Sequence, residues 1–178
     1  MRKTKNSELN RLSVDAFKEA KKNQLAVVLD NIRSMNNIGS VFRTCDAFRV
    51  EKLLLCGITA TPPHREIHRT ALGATESVDW EYYETTQQAL TGLKEKGFLL
   101  VAIEQTDTSI SLEEYYPPAS KKMAFVFGNE INGIDEEVLD LCDYSVEIPQ
   151  FGTKHSINVS VSAGIILWDM VTKMWKTK

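Results

Sequence analysis

The sequence has no apolar run of about 18 residues, so nothing in it reads as a membrane-spanning helix. Its start, Met1-Arg2-Lys3-Thr4-Lys5-Asn6, leads into polar residues rather than the apolar core of a secretory signal. Cysteine is scarce. Cys45, Cys56 and Cys142 are widely spaced, form no Cys-x-x-Cys pair and have no His at zinc-ligand distance. That excludes a disulfide framework and a zinc ribbon, and the thiols read as reduced and mostly buried in a cytoplasmic protein. Proline (5) and glycine (9) are few, while 43% of the 178 residues are hydrophobic and 25% charged, which excludes disordered and collagen-like chains and fits one globular domain. No Gly-x-Gly-x-x-Gly follows the first apolar run, and no Gly-x-x-x-x-Gly-Lys-Ser/Thr occurs, so a standard dinucleotide fold and a P-loop NTPase are excluded. His64 and His68 have i, i+4 spacing, but Arg65, Glu66 and Ile67 lie between them instead of the zincin pattern; no metal is expected.

An excess of positive charge is also missing. The net charge is -3, which taken alone argues against a nucleic-acid partner. The charge is uneven, however. Residues 1–22 hold seven Lys or Arg against three acids, a net of +4. Residues 171–178 add Lys173, Lys176 and Lys178 with no acid, and the middle of the chain carries a net of -10. The protein is an acidic body with two basic ends, which read either as solvated tails or as contacts for an anionic partner.

Short apolar runs alternate with helical patterns. Strands are expected at 24–30, 51–57, 98–103, 122–127 and 143–148, with a weaker one near 78–83. The strong runs are nearly continuous in apolar residues, as in strands covered on both faces. Helices are expected at 13–22, 38–48, 85–96, 134–142 and 158–175, the first capped by Ser13 and the fourth with Asp135, Glu136 and Glu137 in its first turn. The alternation predicts an α/β domain with a mainly parallel sheet and helices on both faces, residues 23–178, preceded by a basic extension with a helix at 1–22.

Ligands in such sheets bind outside the carboxyl ends of the strands, where three loops stand out. The first is Asp30-Asn31-Ile32-Arg33-Ser34-Met35-Asn36-Asn37-Ile38-Gly39-Ser40-Val41-Phe42-Arg43. Asn37 reads either as the helix cap or as a functional amide, Gly39 as a point of close approach, and Arg43 as a surface cation or a functional one. The second is Gly128-Asn129-Glu130-Ile131-Asn132-Gly133, where two glycines bracket an acid directly after a buried strand. It is either a tight turn serving the next helix or a glycine-lined floor under a ligand. The third runs from Ile148 to Ala163 through Ser156, Asn158, Ser160 and Ser162. Ser156 or Asn158 can cap the following helix, but so many small polar residues exceed what capping needs. His155 reads as a loop residue.

Together these segments resemble, in order, spacing and strand context, the three signature motifs of the SpoU/TrmH branch of the SPOUT superfamily of RNA 2′-O-ribose methyltransferases. The first motif appears as Asn37-Ile38-Gly39-Ser40-Val41-Phe42-Arg43-Thr44 with Ala47-Phe48, the second as Phe127-Gly128-Asn129-Glu130 with Gly133, and the third as Ile148-Pro149, Gly152 and Ser156-Ile157-Asn158-Val159-Ser160-Val161. Arg69 with Gly73-Ala74 resembles a weaker family element. The resemblance runs from about Val27 to Asp169. A position after Phe48 that is often Gly in relatives is Arg49, and the common Leu after Ser156 is Ile157.

The resemblance implies a C-terminal deep trefoil knot, a homodimer and transfer of a methyl group from S-adenosylmethionine to a ribose 2′-hydroxyl of RNA, tRNA before rRNA. It implies a donor pocket lined by Ile103, Glu104, Gly128, Asn129, Gly133, Ile148 and Ile157. It places Arg43, Asn37, Glu130, Ser156 and Asn158 in the reaction: Arg43 as a base or as a clamp on an RNA phosphate, Asn37 orienting Arg43 or the ribose, Glu130 fixing the motif. A guanidinium is a poor base, so both roles of Arg43 stay open. RNA capture falls to Lys18, Lys21, Lys22, Arg33, Arg65 and Arg69. The competing readings are a catalytically silent RNA-binding module and a methyltransferase acting on a small molecule.

Overall fold

The computed structural model describes residues 1–5, 8–118 and 120–176; Lys178, in the basic carboxyl-terminal end, lies outside the described residues. Seven strands, β1 (Asn23–Asp30), β2 (Val50–Cys56), β3 (Trp80–Tyr83), β4 (Phe98–Ile103), β5 (Ile110–Ser111), β6 (Lys122–Phe127) and β7 (Tyr144–Glu147), form one sheet in the order β3-β2-β1-β6-β4-β7-β5. Every pairing between these strands is parallel. The helices are α1 (Val14–Glu19), α2 (Met35–Ala47), α3 (Arg65–Ala71), α4 (Ala74–Ser77), α5 (Thr86–Glu95), α6 (Glu136–Leu139) and α7 (Val159–Lys176).

Continuous apolar strands bury both faces because consecutive side chains point to opposite sides. Leu25, Val27 and Leu29 of β1 enter a core shared with α1, α2, α3, α4 and α7. Ala26 and Val28 enter the other, under α5 and α6. Among the described residues no helix is long and apolar enough to cross a membrane. Burial also raises the pKa of all three thiols, Cys45 the most, Cys56 to about 12 and Cys142 to about 11, which leaves them poor nucleophiles.

The structure moves several expected boundaries. The second helix begins three residues early, because Ser34 rather than Asn37 is its cap and accepts the Asn37 backbone N–H at 3.3 Å. The first helix is capped by Ser13 as expected but stops at Glu19 instead of 22, since Ala20 is extended and the Lys22 ammonium folds back onto the carbonyls of Phe17, Lys18 and Ala20. The helix expected at 134–142 is one α turn; Leu141 and Cys142 donate to carbonyls three residues back, closing tighter turns. Helices α3 and α4 and the two-residue strand β5 were not expected. His64 caps α3 through Nδ1, which accepts the Glu66 N–H at 3.2 Å. Gly39 marks where α3 crosses α2: a Cβ there would stand 2.3 Å from the Ile67 carbonyl oxygen and 2.1 Å from Thr70 Oγ1.

The register fixes where the loops emerge. Leu29, Phe127, Ile103 and Val146 lie level across β1, β6, β4 and β7. The segments that follow these four strands therefore leave the sheet side by side at one edge.

Candidate active site

The loop after β6 is shaped by its glycines. A Cβ on Gly128 would meet the Gly133 carbonyl carbon at 2.3 Å and the Ile134 nitrogen at 2.5 Å, and Gly133 itself sits at φ 70°. Asn129 and Gly133 exchange backbone hydrogen bonds at 3.0 and 2.9 Å, so the hairpin projects Glu130 from its tip. The Asn129 side chain closes the turn by accepting from Ile131 and Asn132, and donates to the Asn31 carbonyl at 2.7 Å. Glu104, just past β4, secures the base of the loop by accepting the Ile134 N–H at 3.1 Å.

Glu130 then joins the first loop. Its carboxylate accepts the backbone N–H of Arg33 at 3.1 Å and of Ser34 at 3.2 Å, and the Asn37 amide at 3.2 Å. Asn37 in turn accepts from the Asn158 amide at 3.1 Å. Asn158 caps α7, its Oδ1 accepting the Ser160 N–H at 2.9 Å and the Ser160 hydroxyl at 2.7 Å. One chain of hydrogen bonds, Glu130–Asn37–Asn158, thus ties together three segments remote in sequence. Burial alone would raise the Glu130 pKa, but the Arg33, Glu130 and Ser34 backbone N–H groups and the Asn37 amide outweigh it and hold the carboxyl below its ordinary value of 4.5.

Beside this junction lies a cavity of about 470 Å³ between the loops after β4, β6 and β7. It is lined by Ile103, Glu104, Gly128, Asn129, Gly133, Ile148 and Ile157, with Glu130, Ser156 and Asn158 also on its wall. The structure therefore gathers all seven residues of the expected donor pocket and three of the five expected in the reaction. Sequence reasoning missed Gln105, Gln150 and Ser162 on the wall, and it read His155 only as a loop residue. Glu104, Glu130 and Glu147 line the cavity and among the described residues no Lys or Arg does, an electrostatic setting for a cationic ligand.

Arg43 is not part of it. Six residues separate Asn37 from Arg43 on α2, a rise of about 9 Å and a rotation of about 240°, which carries the guanidinium down the helix and onto another face. It is exposed, and it lines a different cavity, beneath the amino-terminal arm. Asn37 is thus engaged by Glu130 and Asn158, not by Arg43. Of the residues expected to contact RNA, Lys18, Lys21, Arg33 and Arg65 are exposed, but Lys22 serves the end of α1 and Arg69 donates to Asn36 Oδ1 at 2.9 Å. Lys173 is drawn inward, donating to the Leu112 and Tyr115 carbonyls at 2.7 and 2.8 Å and pairing with Asp169 at 2.7 Å, which removes it from the basic carboxyl-terminal end.

A family model for the SpoU rRNA Methylase family matches residues 24–168. A 23S rRNA (guanosine-2′-O-)-methyltransferase RlmB of Neisseria meningitidis is 32% identical over 153 residues, 86% of this chain and 60% of that protein. A tRNA (guanosine(18)-2′-O)-methyltransferase of Aquifex aeolicus is 32% identical over 155 residues, covering 85% of this chain and 70% of its own. The crystal structure of the A. aeolicus TrmH/SpoU tRNA modifying enzyme superimposes with a TM-score of 0.80 at 28% identity, covering 92% of this chain and 83% of the other. The SpoU methyltransferase AviRb of Streptomyces viridochromogenes, solved with AdoMet, shares the fold at a TM-score of 0.79 and 22% identity, covering 89% of this chain and 64% of the other. This chain spans 60% of the length of the Neisseria enzyme.

Proposed function

This chain belongs to the SpoU rRNA Methylase family, and from that premise we propose that it transfers a methyl group from S-adenosylmethionine to a ribose 2′-hydroxyl of RNA. The observation that carries the reading is the Glu130–Asn37–Asn158 junction standing on the rim of a glycine-floored, acid-lined cavity. The cavity suits the donor in size and in charge, and its floor is a tight turn that Gly128 and Gly133 permit, since a Cβ on either would collide with the turn or with Glu104. Gly128, Ile148 and Ile157 would hold it through backbone groups and apolar contact, with Ile103, Glu104, Asn129 and Gly133 completing the wall. The chemistry supplied there is an electrophilic methyl carbon on a sulfonium sulfur.

The chain's own residues orient the acceptor. Asn37 and Asn158 are held with defined amide directions, Asn37 donating to Glu130 and accepting from Asn158, and Ser156 lies beside them to meet the ribose. Arg43, a donor-only cation, clamps an RNA phosphate and stabilises the alkoxide that develops on the attacking oxygen. Its distance along α2 from the junction favours an Arg43 contributed by a second copy in that role. A homodimer through α7 supplies one: Val161 and Trp168, about two turns apart on that helix, are 50% and 57% exposed. In this reading residues 1–22 form an RNA-capture extension and residues 23–178 the methyltransferase domain, its end threaded as a trefoil knot, working in the cytoplasm. tRNA is the favoured substrate, because the chain covers more of the tRNA-modifying relatives than of the rRNA-modifying one.

The test is incubation with methyl-labelled donor and total tRNA, rRNA or no RNA, followed by mapping of any 2′-O-methyl site. Label on tRNA supports the reading and label on rRNA alone corrects the substrate. Donor binding without label on any RNA overturns it in favour of a silent RNA-binding module or a small-molecule methyltransferase.

A further inference from the structure

The cavity that holds Arg43, about 900 Å³, runs between the amino-terminal arm and the outer face of α2. The arm, residues 9–14, is one wall, α2 is the floor, and the turn joining α3 to α4 is the far wall. Three arginines from separate places line it: Arg11 on the arm, Arg43 on α2 and Arg49 in the turn between α2 and β2.

All three guanidinium groups are without a hydrogen-bond or ion-pair partner among the described residues. Two carboxylates share the cavity, yet neither pairs with an arginine; Asp46 instead accepts from the Ser77 hydroxyl. The contrast with Lys22, Arg69 and Lys173, each bound internally, is plain. Arg49 also sits at φ 48°, a left-handed conformation that a side chain with a Cβ adopts at a cost. That conformation ends α2, with the Arg49 N–H donating to the Asp46 carbonyl at 3.1 Å, but it gives the guanidinium no partner, and three unpaired cations lining one groove point to an anionic ligand.

We propose that this groove binds the phosphodiester backbone of the single-stranded RNA flanking the target ribose, with Arg11 and Arg49 each contacting a phosphate next to the one held by Arg43. The inference rests on the RNA-methyltransferase reading. Leu12 and Leu72 on the rim, 44% and 66% exposed, offer apolar edges to sugars and bases.

The test compares Arg11→Gln, Arg49→Gln and the double variant with the wild type. A second double variant, Lys94→Ala with Lys121→Ala, removes two exposed charges at the amino ends of the strands. Binding of the RNA that the wild type methylates is followed by fluorescence anisotropy from about 50 to 200 mM salt. The Arg11/Arg49 double variant should bind roughly tenfold more weakly at low salt. Its slope of log affinity against log salt should be shallower by about 1.4, or ~0.7 for each single-strand phosphate that is no longer neutralised. In turnover the loss should appear in KM for RNA. The lysine variant should match the wild type. Wild-type affinity and slope in the arginine variants, or an equal loss in the lysine variant, overturns the groove while methylation by the wild type leaves the parent reading standing. A wild type that neither binds nor methylates any RNA overturns both.

Discussion

Asn158 donates its side-chain amide to Asn37 Oδ1 at 3.1 Å, across 121 residues of chain. Because Asn37 also donates to Glu130, its amide has one orientation only, and neither a donor-only nor an acceptor-only side chain can replace it. Asn37→Leu removes both bonds and leaves a carboxylate short of one partner. We expect a loss of about 1–2 kcal/mol in urea unfolding, near the lower end because the junction is partly solvated, together with severe loss of methyl transfer. Asn37→Asp should be worse at neutral pH than at pH 4, since it sets a second carboxylate against Glu130.

Glu130 gives the junction a pH dependence of definite sign. Its folded-state pKa lies below the ordinary 4.5, so its contribution is fully present above that value and is lost as pH falls through the depressed one. Wild type and Glu130→Gln should therefore differ in stability at neutral pH and converge only as the pH falls through the depressed value, below the ordinary 4.5. A gap that persists in acid would mean that the carboxylate's charge is not what holds the loops.

The three motifs lie in plain order along the chain, and so do the strands, because each buried strand is a short continuous apolar run. The hydrogen bonds between motifs were not legible: that Glu130 reaches Arg33, Ser34 and Asn37 depends on β1 and β6 lying side by side in register. Arg43 shows the converse. Its separation from Asn37 follows from helix periodicity, yet motif adjacency suggested one site. Helix α3 escaped notice because only Ile67 and Ala71 of its seven residues are buried, and α4 and β5 are too short to show a period. Lys173 looked like part of a basic tail because nothing local reveals that the Leu112 and Tyr115 carbonyls come to it.

Gly128 separates a packing role from mere flexibility. A Cβ there meets backbone, which cannot swing aside as a side chain can. Gly128→Ala should cost about 1–3 kcal/mol and shift the floor of the cavity, so donor affinity measured by calorimetry should fall more than RNA affinity does. Equal loss of both would show that the whole edge of the sheet had moved.

Lys173 should behave as a structural cation. Its ammonium makes two bonds to carbonyls, an ion pair with Asp169 and a contact over the Tyr116 ring at 4.9 Å. Lys173→Met keeps the stem but strands two carbonyls and a carboxylate, for a loss of about 2–4 kcal/mol. RNA affinity of the folded variant should stay at the wild-type value; a weakened, salt-flattened affinity would return Lys173 to the RNA-contacting surface.

Arg49 sets stability against binding at one position. Glycine has no Cβ to strain at φ 48°, which favours Arg49→Gly by about 1–2 kcal/mol, while the freer unfolded chain takes back about 0.4–1. The variant should therefore be as stable as the wild type or more so, unfolding at a higher denaturant concentration by up to about 1.6 kcal/mol. Its RNA affinity should nevertheless fall as far as that of Arg49→Gln, because both lose the guanidinium. The pair of measurements separates the two effects cleanly. A more stable protein with wild-type RNA binding would mean that the Arg49 guanidinium contacts no phosphate, and a less stable one would mean that the Arg49 side chain contributes packing that its exposure does not reveal.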